Sequence, residues 1–354
     1  MQIGCVQLLE FRNYRALAWS PAPHLNVLAG PNAQGKTNLL EALGFIVTGR
    51  SFRTSRTAEL ARWGSESAAV SGDLVRGETR RTVRRGLTRL EDETWQSTGE
   101  PAPEWARVIA FGWQDLEIVN GGPAARRNFI DGFAARLYAN HVPTLIRFRQ
   151  ILARRNRLLQ QRPVDVGLAT RLGPWNEHFA TVGMELLGRR RKAVAALQTE
   201  LARVYAALSG ARSKVEIRYR TALGEAAEPA ALLAALERRL REEVRRGQTL
   251  VGPHRDDLAI EIDGVDARAF GSRGQQRLTA LALRLAEILP VTEAAGTAPI
   301  LLLDDALSEL DPTVRGYVLH EIQSAEQVFL TTPDAPVVDG AAMFHVNGGG
   351  LCPA

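Results

Sequence analysis

Lysine is nearly missing from this sequence. Lys36, Lys192 and Lys214 are the only three in 354 residues, so nearly all of the 44 basic side chains are arginine. Cysteine is as scarce: Cys5 and Cys352 lie near opposite ends, which excludes a disulfide framework and leaves no cysteine spacing for a metal. The six histidines stand singly. No run nears the roughly 20 apolar residues that cross a bilayer, and Glu10 and Arg12 interrupt the opening segment too early for a secretory leader. These absences lead to the expectation of a soluble cytoplasmic protein with no membrane partner. Internal repeats and low-complexity linkers are also lacking.

What is present is 45% apolar residues, enough to bury a core and to build two lobes. The net charge of +5 rests on guanidinium groups, which fork onto phosphates and favour a polyanionic partner. Up to about residue 110 short strands alternate with turns, and Ile3 to Phe11 and Leu25 to Ala29 read as paired strands. "AAVSGDL", "TRRTVRRG" and "LTRLEDETW" read as a small antiparallel sheet. After Trp113 the pattern turns helical. In "VPTLIRFRQILARRNRLLQ" Leu145, Phe148, Leu152 and Leu159 share a face opposite Arg147, Arg154 and Arg157. A second helix runs through "AVAALQTELARVYAAL", and a third starts near Pro229, buries Leu233, Leu236 and Leu240, and stops at Gly247. Beyond Leu258 the α/β pattern returns, with a hairpin turning at Asp263 and Gly264, then a helix, the strand "PILLLDD", a helix and the strand "QVFLTT".

One of the three lysines falls in "LNVLAGPNAQGKTNLLEAL", Leu25 to Leu43. Gly30, Gly35, Lys36 and Thr37 fit G-x-x-x-x-G-K-[ST], with a strand before and a helix after. The chemistry fits the spacing: glycines let backbone N–H groups converge on phosphate oxygens, Lys36 reaches the β and γ phosphates, and the Thr37 hydroxyl binds Mg²⁺. The acidic partner of the metal is expected at the end of an apolar strand, and "ILLLDD" supplies it. Asp304 would hold the metal's water shell, and Asp305 would orient or deprotonate an attacking water. A second turn, Ser272, Arg273 and Gly274, precedes a helix with Leu278, Leu281, Leu285 and Leu289 in helical spacing, so Ser272 reads as an N-cap and the turn as a second anion-binding end. Two such turns make sense if the second serves another copy of the chain.

The loop "GPNAQGKTN", the turn "GSRGQQR", the strand "LLLDD" and the following "ALSELD" resemble the ATPase heads of the SMC class, and more closely the RecF family of bacterial DNA repair proteins. "FRNY" at Phe11 to Tyr14, "GRSFRT" at Gly49 to Thr54, "GGPAARRNFID" at Gly121 to Asp131 and "GPHRDDL" at Gly252 to Leu258 extend the resemblance over nearly the whole chain. The fold it implies is α/β, a P-loop ABC-type ATPase head with a mixed sheet, flanking helices and an antiparallel β subdomain. Residues 1–112 and 246–354 would form the head, and 113–245 an inserted helical lobe.

The resemblance further implies an ATP sandwich with Mg²⁺ in an ATP-dependent homodimer. Gly30, Pro31, Asn32, Ala33, Gln34, Gly35, Lys36, Thr37 and Asn38, with Asp304 and Asp305, would face Ser272, Arg273, Gly274 and Gln275 of the partner, and Asp311 would sit at the seam. Arg12 would contact phosphate and Gln114 would act as the glutamine lever; the alternatives are surface charge and a helix cap. Asp305 replaces the glutamate of transport ATPases, and Thr331 and Thr332 stand where those have a histidine, so slow turnover and γ-phosphate sensing by a hydroxyl are expected, with Thr332 among the nucleotide contacts. The family's work is post-replicative gap repair on duplex and single-/double-strand junctions, with RecR and RecO proteins as partners near the nucleoid. Arg154, Arg155, Arg157, Arg189, Arg190 and Arg191 are candidate DNA contacts, the alternative being solvated helix faces. Two other classes compete, the ATP-binding subunit of a membrane transporter and a structural SMC-type head.

Overall fold

The computed structural model describes residues 1–161, 167–308, 310–333 and 340–354. Its strands, in chain order, are β1 (Gln2–Phe11), β2 (Tyr14–Trp19), β3 (His24–Ala29), β4 (Ser67–Arg76), β5 (Thr79–Arg89), β6 (Trp95–Gly99) and β7 (Val108–Phe111). The rest are β8 (Val215–Arg220), β9 (Asp257–Ile262), β10 (Val265–Asp266), β11 (Ile300–Leu303), β12 (Gln327–Thr332), β13 (Ala342–Asn347) and β14 (Gly350–Pro353). The chain divides into two compact units, Met1–Leu116 with Arg203–Ser213 and Arg277–Ala354, and Glu117–Ala202 with Lys214–Gln276. The second unit thus extends past the sequence-based boundary at 245. The reason is pairing: β9 runs antiparallel to β8 from Val215↔Ile262 to Arg220↔Asp257, which carries the downstream hairpin with it.

The first unit holds two sheets. One is antiparallel, in the order β2-β1-β4-β5-β6, and the other is mixed, in the order β14-β13-β3-β12-β11-β7. The expected pairing of Ile3–Phe11 with Leu25–Ala29 is corrected. β1 pairs with β2 and β4, whereas β3 lies between β12 and β13 in the other sheet. β3 could take that place because Val27, Leu28 and Ala29 are all buried, the continuous apolar run of a strand covered on both faces. The helix α1 (Lys36–Thr48) touches β1, β4 and β5 on one side and β7, β11 and β12 on the other, so one apolar core joins both sheets.

In the second unit the helix Pro123–Leu137 lies against β9 of the sheet β10-β9-β8, and the helix His141–Leu159, the long helix that begins at Leu168 and the helix Pro229–Arg246 pack around Phe148, Phe179, Leu186, Leu187, Leu232 and Leu236. Pro229 opens the last of these helices and Gly247 closes it in the left-handed region, as the sequence indicates; Leu232 and Leu236 take its deepest positions, with Leu233 at the edge of the core. The helix seen in the sequence at residues 193–208 is the second half of a 42-residue helix, Leu168–Ser209. Among the described residues no helix is long and apolar enough to cross a membrane.

Candidate functional site

Parallel pairing brings the candidate residues to one edge. Ala29 pairs with Thr332, and Leu303 lies level with both Leu330 and Phe111. The segments leaving β3, β11 and β7 therefore emerge together at the carboxyl ends of the strands, where open α/β sheets place their ligands. They line a cleft of about 480 Å³ formed by Asn32, Ala33, Gly35–Asn38, Arg53, Phe111, Trp113, Leu116, Arg277, Asp304, Asp305 and Thr331.

The loop Gly30–Thr37 owes its course to backbone freedom and to bracing from behind. Gly35 has φ +115°, and a Cβ there would lie 2.5 Å from Asn13 Nδ2; at Gly30, φ +147°, it would lie 2.5 Å from the Val346 carbonyl oxygen. Asn13 Nδ2 donates to the Gln34 carbonyl at 2.9 Å, Asn38 Nδ2 donates to Asn13 Oδ1 at 2.8 Å, and the buried Tyr14 hydroxyl donates to the Gly35 carbonyl at 3.0 Å. The stretch "FRNY" thus holds the loop in shape. Lys36, 8% exposed, donates from Nζ to the carbonyls of Gly30 and Pro31 at 2.5 and 2.8 Å. Burial lowers its pKa, against the opposing pull of Asp305 and Asp304.

On the facing strand end, the Thr37 hydroxyl meets the Asp304 carboxylate at 2.8 and 2.9 Å, and the Thr331 hydroxyl donates to Asp304 Oδ1 at 2.7 Å. Burial raises the Asp304 pKa despite these hydroxyls and Arg53, with Asp305 adding to the rise. Asp305 sits at φ +54°, its N–H donating to Thr331 Oγ1 at 2.9 Å and its carboxylate accepting from the Ser308 hydroxyl. Of the two threonines at the end of β12, it is the Thr331 hydroxyl that lies beside Asp304 and lines the cleft, one residue before Thr332. Gln114 lies on the one-turn helix Trp113–Asp115 that leaves β7, between cleft-lining neighbours.

Arg12 is not among the residues that line the cleft. Its Nε and one terminal nitrogen clasp the buried Glu41 of α1 at 2.8 Å each, so Arg12 is committed to an ion pair. Arg53 shares that carboxylate at 3.3 Å, donates to Asn38 Oδ1 at 2.8 Å and lines the cleft. With Arg277, which donates to the Asp305 carbonyl at 2.7 Å, it is a site cation that the sequence reading passed over. The signal was there, inside "GRSFRT" and "GSRGQQR", without a spacing rule to single them out.

In the second unit, the Ser272 hydroxyl accepts from Gln275 N–H at 3.2 Å while Gln275 Oε1 accepts from Ser272 N–H at 2.9 Å, a reciprocal cap at the start of the helix Arg273–Leu285. Arg273 and Gly274 are exposed. Asp311 caps the helix Pro312–Glu321, accepting from Thr313 and Val314 N–H; Glu309 of the same stretch lies outside the described residues. Two of the six candidate DNA contacts are corrected. Arg155 is fully buried on Glu243, Thr249 and Asn176, and Arg190, 2% exposed, forks onto Asp131 and reaches the Pro253 carbonyl. Arg189 bonds Asn140 and Thr144, and Arg191 bonds Ala226 and Gly224, which leaves Arg154, stacked 5.5 Å over Trp175, and Arg157 open to solvent.

Comparison with known proteins agrees with this geometry. A family model described as an AAA domain matches residues 5–109. A protein of Synechococcus sp. (strain JA-3-3Ab) named DNA replication and repair protein RecF is 36% identical over 382 residues, which cover 100% of this chain and 98% of that one. A solved structure of the recombination mediator protein RecF with ATP, of the RecFOR pathway, is similar with TM-score 0.89 at 27% identity over 99% of this chain and 97% of its own. The Smc head bound to the C-winged helix domain of ScpA shares the fold alone, with TM-score 0.57 at 16% identity over 99% and 96% of the two chains. The chain belongs to the RecF family of DNA replication and repair proteins.

Proposed function

We propose that this chain is an ATP-dependent DNA clamp of post-replicative gap repair, in which ATP closes two copies around DNA and slow hydrolysis opens them. The carrying observation is that Lys36 and Thr37, on the loop after β3, share one cleft with Asp304 and Asp305, on the strand end 267 residues beyond Thr37. Family membership favours this reading over a transporter subunit, and a structure of RecF with ATP supports the choice of nucleotide.

The loop N–H groups and Lys36 bind the β and γ phosphates, and Arg53, held on Asn38 and Glu41 of α1, balances their charge. The oxygen pair of Thr37 and Asp304 suits Mg²⁺, a hard cation that takes one or two protein oxygens beside phosphate oxygens. When bound, Mg²⁺ neutralises charge that develops on the transferring phosphoryl group. Asp305 accepts a proton from the attacking water; its short side chain and its bond from Ser308 keep turnover low. Ser272, Arg273, Gly274 and Gln275 of one copy complete the triphosphate site of the other, with Asp311 at the seam. Arg154 and Arg157 contact phosphates of duplex DNA near a single-/double-strand junction, in the nucleoid, where RecR and RecO proteins take over loading of the recombinase.

Sedimentation with ADP, ATP and a non-hydrolysable analogue, with and without DNA, tests this. Wild type should dimerise with the analogue, Lys36→Met should stay monomeric, and Asp305→Asn should bind ATP and dissociate more slowly. A nucleotide-loaded protein that stays monomeric on DNA and off it refutes the clamp.

A further inference from the structure

Among the large apolar side chains of the described residues none is more exposed than Trp63, at 99%. The turn that carries it is pinned. Arg62 N–H donates to the Glu10 carbonyl at 2.7 Å, Ser65 N–H donates to the Arg62 carbonyl at 3.0 Å, the Ser65 hydroxyl donates to the Glu10 carboxylate at 2.8 Å, and Phe11 bridges Ala61. The indole is therefore held out in water by an ordered scaffold. Arginines belong to the same framework: Arg62 precedes Trp63 in the chain and converges with Arg15 on Glu10, at 3.5 and 4.0 Å, and Arg56 opens the short helix Thr57–Leu60 that leads into the turn. The side chains of Arg15 and Arg56 are 84% and 82% exposed, and Arg56 meets Glu59 at 3.6 Å. Exposed pairs at such distances bind weakly and leave the guanidinium groups available.

An exposed indole flanked by guanidinium groups is the combination that grips a strand of nucleic acid with open bases: the ring offers a stacking face to any base, and the cations track the phosphates. Bases inside a duplex are already stacked on one another, so the ring selects unpaired ones. A protein partner of apolar character would have to desolvate the arginines of this framework, whereas a polyanion gains from each of them.

We propose that the Arg62–Ser65 turn is a contact for the single-stranded side of a DNA junction, with Trp63 stacked on an unpaired base and Arg15, Arg56 and Arg62 on the adjoining phosphates. This rests on the DNA reading given above and adds the residues that distinguish a junction from plain duplex.

Fluorescence anisotropy of full-length protein with a labelled overhang junction and a blunt duplex, in the presence of a non-hydrolysable ATP analogue, tests it. Trp63→Ala should weaken junction binding by about 5- to 150-fold, the range for loss of one base–aromatic stack, and leave blunt-duplex binding unchanged, with Trp63→Phe in between. Arg15→Gln and Arg56→Gln should each flatten the salt dependence of junction binding. Junction affinity that survives Trp63→Ala overturns this assignment alone, as does an equal loss on junction and duplex. Wild-type protein that binds neither DNA overturns the DNA reading, and the assignment with it.

Discussion

Arg155 separates a structural reading of the basic helix from a DNA-binding one. Its guanidinium donates to Glu243 Oε2 at 2.5 Å, to Thr249 Oγ1 at 2.7 Å and to Asn176 Oδ1 at 2.8 Å, with Phe179 beneath it at 5.8 Å. Both members of the ion pair are fully buried. Arg155→Met fills much of the same volume but strands the Glu243 carboxylate with the Leu250 N–H as its remaining donor. Breaking a buried pair from one side costs about 3–5 kcal/mol, a large part of a stability of about 5–15 kcal/mol. Urea unfolding should therefore give a much lower midpoint for Arg155→Met than for wild type, while Arg157→Gln, on the solvent side of the helix, leaves it unchanged and Arg154→Gln, which loses its stack on Trp175, lowers it only slightly. The double variant Arg155→Met/Glu243→Met should recover part of the loss, because no unpaired charge is then buried. Below the transition, DNA affinity of Arg155→Met should match wild type. A variant with wild-type stability and lost DNA binding would refute the argument, since it would make Arg155 a DNA ligand after all.

Two further outcomes follow from the same geometry. His254 packs against Phe148 and Phe179, and burial, reinforced by Arg255, Arg127 and Arg155 against the pull of the Thr249 carbonyl, lowers its pKa to about 4. The unfolded chain then binds the extra proton between pH 6.5 and 4, so stability should fall by about 3 kcal/mol as pH drops through that window and level off below it. Urea midpoints at pH 7 and 5 should differ more for wild type than for His254→Leu, and equal slopes would remove His254 from the account. Gly35→Ala forces φ +115° on a residue with a Cβ and pushes on the Asn13 amide, a strain of about 1–3 kcal/mol at the loop. Titration with a fluorescent nucleotide should show about a 5- to 150-fold loss of affinity, with the circular-dichroism melt lowered by only a few degrees; wild-type affinity would mean that the loop tolerates the side chain.

Legibility tracked the range of the interactions involved. The loop after β3, the cap at Ser272, the stop at Gly247 and the hairpin at Asp263 are set by residues within a few positions of one another, and each is readable from spacing and side-chain type. Arg155 and Arg190 were misread because an arginine on an amphipathic helix looks like surface, and what buries it is a carboxylate 88 or 59 residues away. Arg53 and Arg277 lacked any local pattern, and only the folded chain sets them beside Asp304 and Asp305.

By itself the sequence determined the helix Pro229–Arg246, the hairpin at Asp263, where the phosphate-type loop and its acidic strand end lie, and the family to which they belong, because backbone preference and apolar periodicity act over a few residues; it gave no sign of the strand β8 inside the stretch read as helical. Tertiary structure decided that β1 and β3 belong to different sheets, that Thr331 and not Thr332 meets Asp304, and that some arginines are struts while others face water. Those outcomes depend on sheet register and on charge pairing across long stretches of chain, where the partner is chosen by packing and not by spacing.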